Sequence, residues 1–198
     1  MNEGILKKRI RDLAKSYDGA PTGGFITGAG PIPCPILFIG EAPGKSEIEA
    51  QKPFVGMTGA LFEKRLQDIG LSKQDIRITS ACFLRPITLK TNKNGKETIS
   101  NRQPKTAEIE LFRAVLDQEI ALVQPKIIIT LGNIPLKRIA GLSKIGEHHG
   151  RPFYSEKYHC HIFPLYHPSS VIHNRTADFQ KTYDGDWEQL ALFLDSIL

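Results

Sequence analysis

The sequence has few cysteines and lacks long apolar runs. Its three cysteines, Cys34, Cys82 and Cys160, are far apart and form no CxxC pair. This pattern argues against a disulfide framework and predicts reduced, mostly buried thiols. No stretch approaches the ~20 apolar residues that a membrane span requires, and the charged N-terminus lacks the apolar core of a secretion signal. We therefore expect a cytoplasmic protein with no membrane association.

The length and composition are those of an ordinary globular protein. A chain of 198 residues suits one domain, here residues 1–198. Residues 1–34 are predicted to form a helix and an irregular lead-in, and the polar residues 91–105 are predicted to form a flexible surface insertion. The net charge of +5 favours polyanionic partners such as nucleic acid, although this excess alone is weak evidence.

Four short apolar runs predict the core of the fold. They cover residues 36–39, 76–79, 127–131 and 161–165, and the first is bounded by proline and glycine. Continuous apolar runs of this length are typical of strands buried on both faces in a parallel sheet. Because helical patterns separate the runs, we predict a three-layer α/β/α sandwich around a small, about four-stranded parallel sheet.

The helical patterns between the runs also predict where helices begin. One apolar face extends over residues 109–123, and Thr106 is positioned to cap a helix that covers it. The last helix is predicted to begin at Asp186 and to direct Trp187 and Leu190 toward the core.

Three motifs follow the predicted strands, at the sheet edge where α/β proteins bind ligands. Residues 40–44 read GEAPG, residues 53–59 read PFVGMTG, and residues 167–170 read HPSS. Each motif alone is weak evidence, because Gly/Pro-rich loops and single histidines are common structural features.

In this order, the motifs resemble those of the uracil-DNA glycosylase superfamily, most closely family 4, which carries GEAPG, PFVGxAG and HPS. The resemblance extends from Pro35 to Asn174. It implies a monofunctional DNA glycosylase of base-excision repair, which extrudes a deaminated base, uracil first of all, and hydrolyses its N-glycosidic bond. The expected partner is DNA that contains a damaged base, and we expect the protein to be a monomer.

The resemblance also assigns residues to the reaction. Phe54 matches the phenylalanine that stacks on the extruded base, and Gly40 and Gly44 allow the backbone to approach it closely. His167 matches the histidine that donates a hydrogen bond to the departing base, on which negative charge develops.

The attacking water is assigned less directly. The best-known branch of the superfamily holds it with an aspartate, but Ala42 occupies that position here, as alanine does in family 4. The resemblance implies that backbone around Glu41 and Ala42 holds the water; the Glu41 carboxylate either helps or only braces the loop. Glu47 matches a glutamate that narrows the pocket near Gly44.

The segment after His167 is expected to contact DNA. In the superfamily this loop enters the minor groove, where an apolar residue fills the vacated stack. Val171 and Ile172 are the candidates for that wedge, and the hydroxyls of Ser169 and Ser170 are expected to bind phosphates.

Two departures from the family pattern limit what the resemblance implies. Family 4 carries four cysteines that hold an iron–sulfur cluster, whereas Leu84 replaces one of them here and the segment from Tyr17 to Pro33 contains none, so no cluster is expected. The histidines lack metal-site spacing, so no metal is expected either.

The second departure is Ser80, where the family has an asparagine that binds the uracil edge. Hypoxanthine or xanthine is therefore an alternative target base. Two further alternatives are a DNA-binding module with little catalysis and a hydrolase of small nucleosides.

Overall fold

The chain alternates strands and helices along most of its length. The computed structural model describes residues 2–91 and 95–198. In chain order the elements are α1 (Glu3–Ser16), β1 (Thr22–Phe25), β2 (Ile36–Gly40), α2 (Lys45–Ala50), α3 (Gly56–Asp68), β3 (Arg77–Ser80), β4 (Leu84–Thr91), β5 (Glu97–Asn101), α4 (Thr106–Leu111), α5 (Arg113–Val123), β6 (Ile127–Leu131), α6 (Asn133–Ala140), a 3₁₀ turn (Ile145–Glu147), β7 (Phe153–Ser155), β8 (Cys160–Leu165), α7 (Ser169–His173) and α8 (Ala177–Ile197).

The central sheet has five strands in the order β3-β2-β6-β8-β7. The four predicted apolar runs form its parallel strands, which confirms the α/β class. A fifth strand, β7, pairs antiparallel with β8 at one edge. Strand β7 has three residues and none of them is buried, so it leaves no apolar pattern in the sequence.

A second, antiparallel sheet joins strands in the order β1-β4-β5. Strands β4 and β5 form a hairpin, so residues 97–101 of the predicted surface insertion are part of a strand. Residues 92–94, between these strands in the sequence, lie outside the described residues. Flexibility of the insertion stays a prediction.

Two helix starts differ from the prediction. The segment expected to be one helix divides at Phe112, and Lys105 rather than Thr106 is the N-cap residue of α4. The Glu108 carboxylate accepts the backbone N–H of Lys105, which satisfies a donor that the helix itself leaves unpaired. Helix α8 begins at Ala177, so Asp186 lies in its middle and does not cap it.

The two faces of the central sheet have different surroundings. The aromatic face, packed against α3 and α8, contains Phe38, Phe62 and Trp187. The ion-pair face, packed against α1 and α5, contains mostly aliphatic residues, the ring pair Phe83–Phe112 and the buried pair Arg77–Glu119. Among the described residues, no helix is both long and apolar enough to cross a membrane.

Candidate active site

A cavity of about 600 Å³ opens at the carboxyl ends of the parallel strands. Residues that follow β2, β6 and β8 contribute to its wall, together with Ser80 at the end of β3. Its volume lies in the range of small-molecule sites, and its location is where open α/β sheets bind ligands. An extruded nucleobase is a ligand of suitable size.

All three sequence motifs meet in this cavity. Gly40, Phe54 and His167 all line it, and the rings of Phe54 and His167 have centroids 6.1 Å apart. A Cβ atom on Gly40 would lie 3.0 Å from the Phe54 ring, so a larger residue at position 40 would displace that ring. The absence of a side chain at Gly40 therefore lets the aromatic ring lie directly against the end of β2.

Several contacts hold Phe54 in its conformation. Its φ of +50° is unusual for a residue with a side chain. Its carbonyl oxygen accepts a hydrogen bond from Lys73 Nζ at 2.9 Å, and its ring packs on Phe62 at a centroid distance of 4.6 Å. A Cβ atom on Gly59 would lie 2.2 Å from the same carbonyl oxygen, which explains the glycine in α3.

The hydrogen bonds of His167 determine which ring nitrogen faces a ligand. The backbone N–H of Ser169 donates to Nδ1 at 3.2 Å, and Ser169 Oγ lies 2.7 Å from the same nitrogen. Since Nδ1 is an acceptor, the neutral ring carries its proton on Nε2. Burial lowers the pKa of His167 to about 4, so the ring is neutral at pH 7 and remains an N–H donor.

Glu41 and Ala42 form the part of the wall that follows β2. Burial raises the pKa of the Glu41 carboxyl, and its backbone carbonyl accepts the N–H of Cys82 at 3.0 Å. Ala42 lines the cavity and also packs against the ion-pair face. The Glu41 carboxylate is thus the titratable group of this wall segment, and the Glu41 backbone carbonyl is already engaged in a hydrogen bond.

Glu47 connects the first two motifs. One of its carboxylate oxygens accepts the backbone N–H of Gly44, and the other accepts that of Val55, each at 3.1 Å. A Cβ atom on Gly44 would lie 2.8 Å from the Glu47 carboxylate. Glu47 therefore braces the two loops against each other while it also lines the cavity.

Of the polar residues Ser80 and Asn101 in the cavity wall, the sequence interpretation selected the first and missed the second. Ser80 lines the cavity beside Gly40, as expected from their pairing in register. Asn101 also lines it, with its Oδ1 accepting a hydrogen bond from Arg85 Nε at 2.8 Å. Asn101 was missed because it belongs to the predicted surface insertion, and only the β4–β5 pairing brings it to the cavity.

The segment after His167 forms the short helix α7. Ser169 and Ser170 line the cavity, and their contact with DNA phosphates stays a prediction. Val171 packs against the aromatic face, whereas Ile172 is partly exposed and is not part of that cluster. Of the two predicted wedge residues, Ile172 is therefore the one that is free of the core.

The cysteines do not fit an iron–sulfur cluster. Such a cluster takes four thiolate ligands, but the chain has three cysteines. Burial raises the pKa of Cys82 to about 12 and that of Cys160 to about 11, so both are protonated thiols. The Cys34 thiol donates to the carbonyl of Ile36. Among the described residues, no group of three or more His, Cys, Asp or Glu side chains is arranged to hold a metal ion.

Comparison with known proteins identifies the family. A profile of the Uracil DNA glycosylase superfamily matches residues 27–191. The type-4 uracil-DNA glycosylase of Sulfurisphaera tokodaii is 32% identical over 176 residues, which cover 83% of this chain and 72% of that protein. The corresponding enzyme of Saccharolobus solfataricus is 32% identical over 86% of this chain and 76% of its own, and that of Pyrobaculum aerophilum is 29% identical over 88% and 89%. The family resemblance read from the motifs is thus confirmed, and the chain belongs to the uracil DNA glycosylase superfamily.

Proposed function

We propose that this protein is a monofunctional DNA glycosylase that extrudes uracil from DNA and hydrolyses its N-glycosidic bond in base-excision repair. The observation that carries the proposal is that Phe54 and His167 line one base-sized cavity, with His167 Nδ1 already engaged by Ser169. The type-4 uracil-DNA glycosylases among its relatives support the same activity. We further propose that it acts as a monomer in the cytoplasm.

The proposed reaction begins when the extruded base stacks on the Phe54 ring. As the bond to the sugar breaks, negative charge develops on a carbonyl oxygen of the base. His167 Nε2–H donates to that oxygen, and this interaction strengthens as the charge grows, so it lowers the barrier. A neutral imidazole suits this role because it donates a hydrogen bond and is already present at pH 7.

Water then completes the hydrolysis at the sugar C1′. In our proposal the Glu41 carboxylate orients that water from the wall segment that follows β2, and Ala42 leaves room for it. No lysine is assigned to attack the sugar, so the product is an abasic site in an unbroken strand. The three available cysteines do not fit a cluster, so we propose that the fold and the reaction need none.

Ser80 makes hypoxanthine or xanthine a second candidate substrate. It lies at the end of β3 and lines the cavity, where its single hydroxyl can donate and accept but cannot make the two-point contact of an amide. A purine base presents a different hydrogen-bonding edge, which a shorter side chain leaves room to bind.

The test is base release from defined DNA. Duplexes that contain uracil, hypoxanthine or xanthine are incubated with the protein, and abasic sites are then cleaved with alkali. We expect breaks at uracil, and a rate lowered by about 10²–10³ in His167→Ala because one charge-stabilising donor is lost. Tight DNA binding without breaks at any of the three bases would show a DNA-binding module and overturn the proposal.

A further inference from the structure

The backbone at Phe54 has a conformation that depends on contacts with the rest of the protein. Its φ of +50° lies in the left-handed region, which residues with side chains rarely occupy. Such a conformation costs free energy and persists only where surrounding contacts hold it. It also sets the direction of the ring, because the side chain leaves the backbone at the same Cα atom. The contacts that hold this backbone therefore control the position of the stacking ring.

One of these contacts comes from a charged side chain outside the three motifs. Lys73 Nζ donates to the Phe54 carbonyl oxygen at 2.9 Å. Among the residues that the structure describes, no backbone N–H donates to this carbonyl. A hydrogen bond from a charged donor is stronger than one between neutral groups. The Phe54 carbonyl thus depends on Lys73 for its hydrogen bond.

The Lys73 ammonium group is itself held in place. Its Nζ lies 3.1 Å from Glu63 Oε2 on α3. Its backbone belongs to a closed turn between α3 and β3, in which the hydroxyl and the backbone N–H of Ser72 both donate to Asp75 Oδ2, at 2.6 and 2.8 Å. The lysine therefore extends from a fixed turn, and an acidic partner sets the direction of its ammonium group.

Helix α3 is shaped to accept the same carbonyl group. A Cβ atom on Gly59 would lie 2.2 Å from the Phe54 carbonyl oxygen, so the missing side chain is what lets the helix approach it. The Phe54 ring in turn packs on Phe62 of this helix. The close approach of α3 and the charged donor thus act together on one peptide group.

The surroundings of Lys73 favour this local role over attraction of DNA. Its side chain is 31% exposed and is engaged by both Phe54 and Glu63. Because the Glu63 carboxylate offsets its charge, Lys73 attracts phosphates less than an unpaired lysine does. Its main effect is therefore expected on the peptide group that it contacts.

We propose that Lys73 is a positioning residue for base stacking. By holding the Phe54 carbonyl, it keeps the ring against the extruded base while His167 donates to that base as it departs. Displacement of a positioned group slows the chemical step, whereas much of the affinity for DNA comes from phosphate contacts. This inference rests on the proposed glycosylase function, because it takes the extruded base as the occupant of the cavity.

The test combines Lys73→Met with Phe54→Ala in a double-mutant cycle. Methionine is also unbranched but cannot donate a hydrogen bond. We expect Lys73→Met to lower kcat for uracil release about tenfold and to leave the Kd for uracil-containing DNA within about twofold. In the Phe54→Ala background, the same substitution should change kcat by less than about twofold, because the ring through which Lys73 acts is gone.

The matched control is Lys7→Met on α1. Lys7 also forms an ion pair, with its Nζ 3.0 Å from Glu3, and its side chain is 43% exposed. The substitution removes the same charge from a residue that does not line the cavity, so kcat should equal that of wild type. Melting temperatures show which variants are folded. If Lys73→Met does not fold, Lys73→Gln, which is shorter and uncharged, takes its place in the cycle.

The outcomes separate this proposal from that of the glycosylase. A wild-type protein that releases no base would overturn both. If the wild type releases uracil, an unchanged kcat in the Lys73 variant would overturn the positioning role alone, and so would an equal loss of kcat in the Phe54→Ala background. A higher Kd together with a slope of log K against log salt concentration reduced by about 1 would show that Lys73 binds phosphate instead, which also overturns the positioning role.

Discussion

The two faces of the central sheet are packed with different kinds of side chain. On the aromatic face, Phe54 packs on Phe62, which in turn contacts Phe38 and Trp187. On the ion-pair face, Arg77 and Glu119 are both fully buried and form a salt bridge of 2.7 Å.

The difference shows in how each face connects to the cavity. The aromatic face delivers Phe54 directly to the cavity wall, as the last ring of a packed series. Among the described residues, the ion-pair face meets the cavity wall at Ala42, in the loop that follows β2. We therefore expect changes in the buried ion pair to reduce stability, and changes at the exposed end of the aromatic series to reduce activity.

The largest expected effect comes from Glu119→Ala. It leaves Arg77 buried without its main partner, and breaking a buried pair in this way typically costs about 3–5 kcal/mol. Thr79, which donates to the second carboxylate oxygen at 2.7 Å, loses its partner too. Urea denaturation measures the loss, and base release per folded molecule should stay near the wild-type rate. A loss below about 1 kcal/mol would show that this pair does not hold the ion-pair face together.

The next effect should appear in activity. Phe54→Ala removes the stacking ring, and a base–aromatic stack is worth about 1–3 kcal/mol, so kcat/KM for uracil release should fall about 5- to 150-fold. Phe62→Leu is the matched control beneath it, since Phe62 is fully buried. That variant should lower the free energy of unfolding but retain most of the activity. Equal losses of activity in the two variants would contradict the inference that Phe54 contacts the base whereas Phe62 supports the fold beneath it.

The pH dependence tests whether the Glu41 loop contributes to the reaction. If its carboxylate orients water, wild-type activity falls as pH drops through the Glu41 pKa, which burial raises above its ordinary value of 4.5. Glu41→Gln should be slower at pH 7, and its remaining activity should not show the fall that wild-type activity shows through the Glu41 pKa. Identical acid limbs in both proteins would show that Glu41 only braces the loop.

The smallest effect concerns the identity of the base. Ser80→Asn supplies a second hydrogen bond to the uracil edge, worth about 0.5–1.5 kcal/mol, so uracil release should rise about 3- to 10-fold. Release of hypoxanthine, measured on the matched duplex, should not rise. A fall in uracil release would show that position 80 does not face the base edge.

Much of this architecture was predictable because buried parallel strands leave a clear pattern. Residues 36–39 are apolar throughout and residues 127–131 are apolar except for Thr130; both strands are fully buried, so they were found within one residue. Strands β1, β4 and β5 were missed because their residues are exposed or mixed in character. The motifs placed Phe54 and His167 at the cavity through family resemblance, whereas composition alone pointed only weakly to a polyanionic partner.

The sequence by itself determined the α/β class, the order of the parallel strands along the chain and the three loops that carry the motifs. Only the tertiary structure decided that Asn101 joins the cavity, that Glu47 ties two loops together and that Val171 packs on the core while Ile172 does not. The physical reason is the distance along the sequence over which each kind of interaction acts. Apolar periodicity is set by neighbours along the chain, whereas these roles depend on hydrogen bonds and contacts between segments that are distant in sequence.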